Sequence, residues 1–247
     1  MSTNTNLLDS FIKDLEELNT HNVVSVVIPS TGVKKDFKLF SVSQHKELLK
    51  AAFEGYDGVI RSSIIFNDIV SGNCTEDDVE FTLADRSYIL TQMRRVSLGE
   101  DIVINDKTYN LSDLSEPKFD VELEDIEYKG ISVKLSIPNL QRDSAISKKI
   151  ITEFQRIDDE TKETEAINIV LTFEIIKFID SLKIGDNTYT FDDVNLYESK
   201  KIVDSLPLKL NNMIIEAISN FRIQEEKSIT FNDGTILEID ASFLSAD

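Results

Sequence analysis

The sequence predicts an α+β fold, helix-rich, with small antiparallel β-hairpins in place of one large sheet. Three observations predict it. Several segments carry apolar residues at helical spacing, as in Leu48, Leu49, Ala52 and Phe53. Short alternating or β-branched runs meet across turn residues at Ser30-Thr31-Gly32, Asn105-Asp106, Lys129-Gly130 and Asn232-Asp233-Gly234. The composition is that of an ordinary globular chain: 247 residues, 41% hydrophobic and 29% charged, with 8 glycines and 4 prolines, enough to bury a core as one large domain or two smaller ones.

Leu7, Leu8, Phe11, Ile12, Leu15 and Leu18 fall on one face of an amphipathic helix that ends near Asn19. Val23 to Ile28 is a β-branched run, and beyond Gly32 the residues Val33, Phe37 and Leu39 continue as its hairpin partner. Ser41 or Ser43 then caps a helix, because a hydroxyl there can accept from a free backbone N–H of the first turn. A further helix is expected from Val59 to Val70. The next is expected to start at Thr75, with Glu76, Asp77 and Asp78 complementing its dipole, and to end at Gly99.

After Gly99 the pattern changes. Ile102 to Leu114 reads as a hairpin, the stretch around Lys129-Gly130 as a second, and SITFNDGTILEID as a last one that closes the chain with Asn232-Asp233-Gly234 as its turn. Ser144 to Phe154 reads as a helix, and Thr164 to Ile179 as a strongly apolar one of the kind that crosses a core. Helices follow at Glu198 to Ser205 and Leu208 to Arg222, broken near Pro207. One echo links two of these regions: Ile104, Asp106, Thr108-Tyr109 and Asp113 match Ile184, Asp186, Thr188-Tyr189 and Asp193, through duplication or through reuse of one turn chemistry. The change of character at Gly99 divides the chain into 1–99, with the N-terminal helix, hairpin and helical region, and 100–247, with the remaining hairpins and apolar helices.

The formal net charge is -19, from 45 acidic against 26 basic residues. Such a surface repels phosphate backbones and anionic membranes, and the basic clusters, Lys34-Lys35, Arg94-Arg95, Lys148-Lys149 and Lys200-Lys201, are short. The expectation is no nucleic acid and no membrane as partner. With Cys74 as its one cysteine the chain has no internal disulfide, and its N-terminus lacks the basic-then-apolar pattern of an export signal, so a cytoplasmic, unprocessed protein is expected.

The chemistry-bearing residues form no constellation. His21 and His45 belong to no shared motif, and Cys74 precedes the expected helix start, where a dipole can stabilise a thiolate. The acidic runs Glu76-Asp77-Asp78, Glu122 to Glu127 and Asp158-Asp159-Glu160 lack the alternation and glycine of a calcium loop. Ser30-Thr31-Gly32 with Lys34-Lys35 lies between strands and so has no helix N-terminus to complete a phosphate cradle. No catalytic, cofactor or metal residues are assigned, no cofactor is expected, and the chain is read as no enzyme. What remains is apolar helix surface: Val59, Ile60, Ile64, Ile65, Phe66, Ile69 and Val70, and Ile167, Ile169, Val170, Leu171, Phe173, Ile175, Ile176 and Phe178, cover more than one face. Either these helices are central to a core or part of their surface binds another chain.

Two stretches carry a family resemblance. Pro29, Ser30, Gly32, Phe37, Phe40, Glu47, Leu48 and Leu49 form a strand, a Pro-Ser-x-Gly turn, an aromatic strand and a helix with charge before paired leucines. Arg94, Ser97, Gly99 and Glu100 follow an Arg-x-x-Ser-x-Gly-Glu pattern, and Asp233 to Leu244 is similar to a closing hairpin. Together they resemble the baseplate hub and hub-assembly protein family of T-even-type contractile-tailed bacteriophages. The family's cysteine-bearing insert after the Ser-x-Gly-Glu segment has no counterpart here. The resemblance implies a scaffold that binds other phage baseplate hub or tail proteins, in the host cytoplasm during assembly and in the virion tail baseplate if it stays as a subunit. Its alternative is a transient assembly factor, and from another class an enzyme in an unfamiliar fold. The sequence assigns no partner-binding residues, copy number or oligomeric state.

Overall fold

The computed structural model describes residues 10–13, 15, 22–54, 56–114, 123–157, 162–191 and 196–244. Strands β1 (Val23–Val27) and β2 (Lys34–Lys38) pair antiparallel from Val23↔Lys38 to Val27↔Lys34. Their alternation sends Val26 and Phe37 into the core, and Gly32, at φ +67, closes the turn. Helix α1 (Val42–Ala52) starts on a reciprocal cap: Gln44 N–H donates to Ser41 Oγ at 3.2 Å, and Ser41 N–H donates to Gln44 Oε1 at 2.9 Å. Helix α2 (Tyr56–Asn73) is longer than its apolar run, and Gly58 lets it approach α1: a Cβ there would lie 2.2 Å from the Ala51 carbonyl oxygen.

The expected helix start at Thr75 is overturned. Helix α3 runs Leu83–Leu98, and the cap falls on Thr82 with Asp85, whose carboxylate accepts from Thr82 N–H and Oγ1 and from Ser30 N–H and Oγ, at 2.8–2.9 Å. Thr75 is instead bound to the hairpin: its N–H and hydroxyl both donate to the Asp36 carbonyl, at 2.9 and 3.1 Å. A long-range partner thus takes the groups that would have capped a helix, and the Glu76-Asp77-Asp78 run lies in a turn.

Gly99, at φ +101, ends α3 as expected. β3 (Asp101–Ile104) and β4 (Lys107–Asn110) form a separate hairpin with Asn105 and Asp106 both at positive φ. A four-stranded antiparallel sheet has the order β5 (Ile126–Tyr128), β6 (Ile131–Leu135), β7 (Ile179–Ile184), β8 (Asn187–Thr190). Between β6 and β7 run α4 (Leu140–Phe154) and α5 (Lys162–Phe178). α4 begins four residues before Ser144 because Asn139 caps it, accepting from Arg142 N–H at 2.7 Å. α5 passes directly into β7, so Ile179 is a strand residue. Of the echoing segments, one forms the β3–β4 hairpin and the other lies in the four-stranded sheet, where Gly185 but not Asp186 has positive φ; Asp193 lies outside the described residues.

α6 (Leu196–Asp204) and α7 (Leu208–Lys227) are divided at Pro207. The closing hairpin is a correction: Thr230↔Ile236 is a single antiparallel bridge around the Asn232-Asp233-Gly234 turn, not a pair of strands. Burial of Leu237, Phe243 and Leu244 draws the chain into the core beyond the bridge. One apolar cluster runs from Val26 through the helices to Leu244. At the N-terminus, Ser10 to Lys13 and Leu15 are helical and exposed, whereas Leu7, Leu8 and Leu18 of that expected helix lie outside the described residues, as does His21.

Candidate interaction surface

The apolar helices bury one face in the core and leave part of another exposed. In α5 the residues Ile169, Phe173, Ile176 and Phe178 are buried, while Ile167 and Leu171, one turn apart, are 60% and 59% exposed. In α2, Ile64, Phe66, Ile69 and Val70 are buried and Val59 is exposed. α7 buries Leu210, Ile214, Ile218 and Phe221 on its core face; Leu208, 75% exposed, and Ile215, seven residues on, form an adjoining exposed ridge.

The ridges of α5 and α7, with Val203 and Leu206 at the end of α6, enclose a groove of about 550 Å³. Its floor is buried and mainly apolar: Thr172, Ile175, Val203 and Ile218. One polar atom is stranded there. Asn211 Oδ1 is shielded from solvent and has no hydrogen-bond partner among the described residues. A buried acceptor without a donor is costly.

The groove is built on a pinned helix. Lys177, buried near the end of α5, lies 2.9 Å from Asp143 of α4 and 2.5 Å from Glu174. Asn67 of α2 donates to Asp143 Oδ2 at 2.7 Å, and Arg86 of α3 lies 3.9 Å from the same oxygen. On the groove side, Arg222 of α7 donates to Glu174 Oε2 at 2.9 Å, its guanidinium 5.5 Å from the centre of the Phe178 ring. Burial alone would raise the Asp143 pKa; Lys177 and Arg86, with hydrogen bonds from Lys177 and Asn67, outweigh it and hold the carboxyl below its ordinary value. Five helices thus share one charge network, which ties the α5 and α7 walls of the groove to each other and to the core.

The residues singled out for chemistry remain apart. His45 is half-buried on α1. Cys74 pairs through its backbone with Phe37, and the helix expected to polarise its thiol begins only at Leu83. Lys35 pairs with Glu76, Arg95 with Glu100 and Lys200 with Asp204, while Arg94 is buried. Asp158, Asp159 and Glu160 lie outside the described residues. Among the described residues no three His, Cys, Asp or Glu side chains converge as metal ligands, and no helix is long and apolar enough to cross a membrane. The sequence pointed to α5 as a two-faced helix, but not to Leu208 and Ile215, which read as ordinary positions of an amphipathic helix.

A family model described as T4 bacteriophage base plate protein matches residues 20–229. No curated protein and no solved structure matches the chain. The match begins just ahead of β1 and ends just past α7, taking in the hairpin, the charge network and every wall of the groove. The chain belongs to the T4 bacteriophage base plate protein family.

Proposed function

We propose that this protein is a baseplate hub protein of a contractile-tailed bacteriophage and acts by binding other hub components, without catalysis. The observation that carries the reading is the groove between α5, α6 and α7: apolar, rigidly backed and open to solvent on a chain of the baseplate family. A groove lined by two helix ridges suits an amphipathic helix laid along it. Leu171, Leu208 and Ile215 supply apolar anchors whose burial drives association, each worth about 2 kcal/mol when fully covered. The charge of -19 acts at longer range, favouring partners with complementary surfaces and discouraging like-charged ones.

In this reading the protein meets its partners in the host cytoplasm during assembly and stays in the tail baseplate as a subunit. The same net charge supports a second version, a transient hub assembly factor that leaves before the particle is complete, because a strongly charged chain stays soluble once released. Quantitative mass spectrometry of purified virions beside the infected-cell lysate separates the two. A fixed ratio to other baseplate proteins in virions is the expected result. Abundance in the lysate with absence from particles overturns the subunit version and leaves the assembly factor.

A further inference from the structure

We infer that the groove between α5, α6 and α7 receives the N-terminal amphipathic segment, Leu7 to Leu18, of a second copy of this chain. The inference rests on the groove being an interaction site and names its occupant. A single copy leaves two apolar surfaces uncovered at once. Phe11 is 61% exposed and Ile12 and Leu15 are exposed beside it on helical backbone, while Leu171 and Leu208 stand open along the groove. The chain's own groove therefore does not hold its own segment, and a second copy satisfies both surfaces.

Length and chemistry agree. The helix that the sequence predicts over 7–18 would extend about 18 Å, and the exposed ridge of α7 from Leu208 to Ile223 extends about 22 Å. The apolar residues of the segment recur at 7, 8, 11, 12, 15 and 18, the spacing that lays one stripe along two ridges. Ser10 and Lys13 stand beside the stripe and give the segment a polar flank. Two grooves and two segments exchange reciprocally in a closed dimer with two-fold symmetry. The segment precedes residue 20, where the family match starts.

Each copy carries a charge of -19, so apolar contact works against repulsion between copies, and the dimer tightens as salt rises. Sedimentation of the full chain, of a Phe11→Glu/Leu15→Glu variant and of Leu208→Glu tests this, with circular dichroism as the check on folding; all three positions are exposed. The expected result is a dimer for the full chain that tightens as salt rises from about 0.05 to about 0.5 M, and monomers for both variants. Mixing the two variants should restore a dimer held by one intact segment in one intact groove. A monomeric full chain, or a dimer that survives in Phe11→Glu/Leu15→Glu, overturns the inference. If Phe11→Glu/Leu15→Glu has no effect while Leu208→Glu alone abolishes baseplate function, the groove reading stands and only its occupant is wrong.

Discussion

Arg94 donates from Nε to the carbonyl oxygen of Phe243 at 2.8 Å, across 149 residues of sequence. The same guanidinium donates from Nη1 to the carbonyls of Gly99 and Asp101, at 2.9 and 3.1 Å, and lies 5.8 Å from the centre of the Phe243 ring. One buried side chain thus ties the end of α3, the start of β3 and the closing 3₁₀ turn Ala241–Leu244. Replacement by Met should cost about 3 kcal/mol, because several buried carbonyls lose a charged donor. Lys in its place should recover little, since an ammonium lacks the planar fork. Urea unfolding of both variants measures this, and a loss under about 1 kcal/mol for Arg94→Met would show that the contact carries little.

Asp143 gives a pH-dependent prediction. Its native pKa is held below the ordinary value of 3.8, so the unfolded carboxyl takes up a proton more readily than the native one. Its stabilisation is complete above about 3.8 and fades as pH falls through the lower native value. Asp143→Asn should cost about 3 kcal/mol at pH 7 by leaving Lys177 with Glu174 as its remaining anion, and the gap to the parent should narrow in acid. Urea midpoints at pH 7 and pH 3 check the sign; a gap that widens in acid contradicts it.

The true start of α3 is tested by comparing two positions. Asp85→Ala removes the acceptor of four hydrogen bonds at a fully buried site and should cost about 3 kcal/mol. Thr75→Ala removes one exposed hydroxyl bond and should cost about 1 kcal/mol or less. The reverse order in thermal unfolding would restore the helix start to Thr75.

Much of this fold was legible because local chemistry decided it. Asn105-Asp106 and Lys129-Gly130 form tight turns with both residues at positive φ, and Ser41 with Gln44 caps a helix within four residues. What escaped was decided by distant partners. Thr75 has every local feature of a cap, but the Asp36 carbonyl engages it from the hairpin. SITFNDGTILEID has the alternation of a hairpin, yet the core claims Leu237 and the segment pairs at one bridge. The charge network joining Asn67, Arg86, Asp143, Glu174, Lys177 and Arg222 has no sequence pattern, since its members come from five helices. The groove was half legible: α5 is apolar on more faces than a core requires, but only the packing shows which face stays open.

Leu208 isolates function from folding. It is exposed in the first turn of α7, where a carboxylate is favoured by the helix dipole, so Leu208→Glu should change stability by less than about 0.5 kcal/mol. In the groove the same carboxylate would be desolvated beneath an apolar partner, weakening binding at least about tenfold.

The most direct test of the account is the yield of infectious particles from a phage carrying Leu208→Glu, read beside the level of the folded protein in the lysate. The account predicts normal protein level and a fall in infectious particles of about tenfold or more, whether the chain stays in the baseplate or leaves after assembly. Wild-type yield from a folded Leu208→Glu protein would contradict it, and would remove the groove between α5, α6 and α7 as the surface through which this chain builds the baseplate.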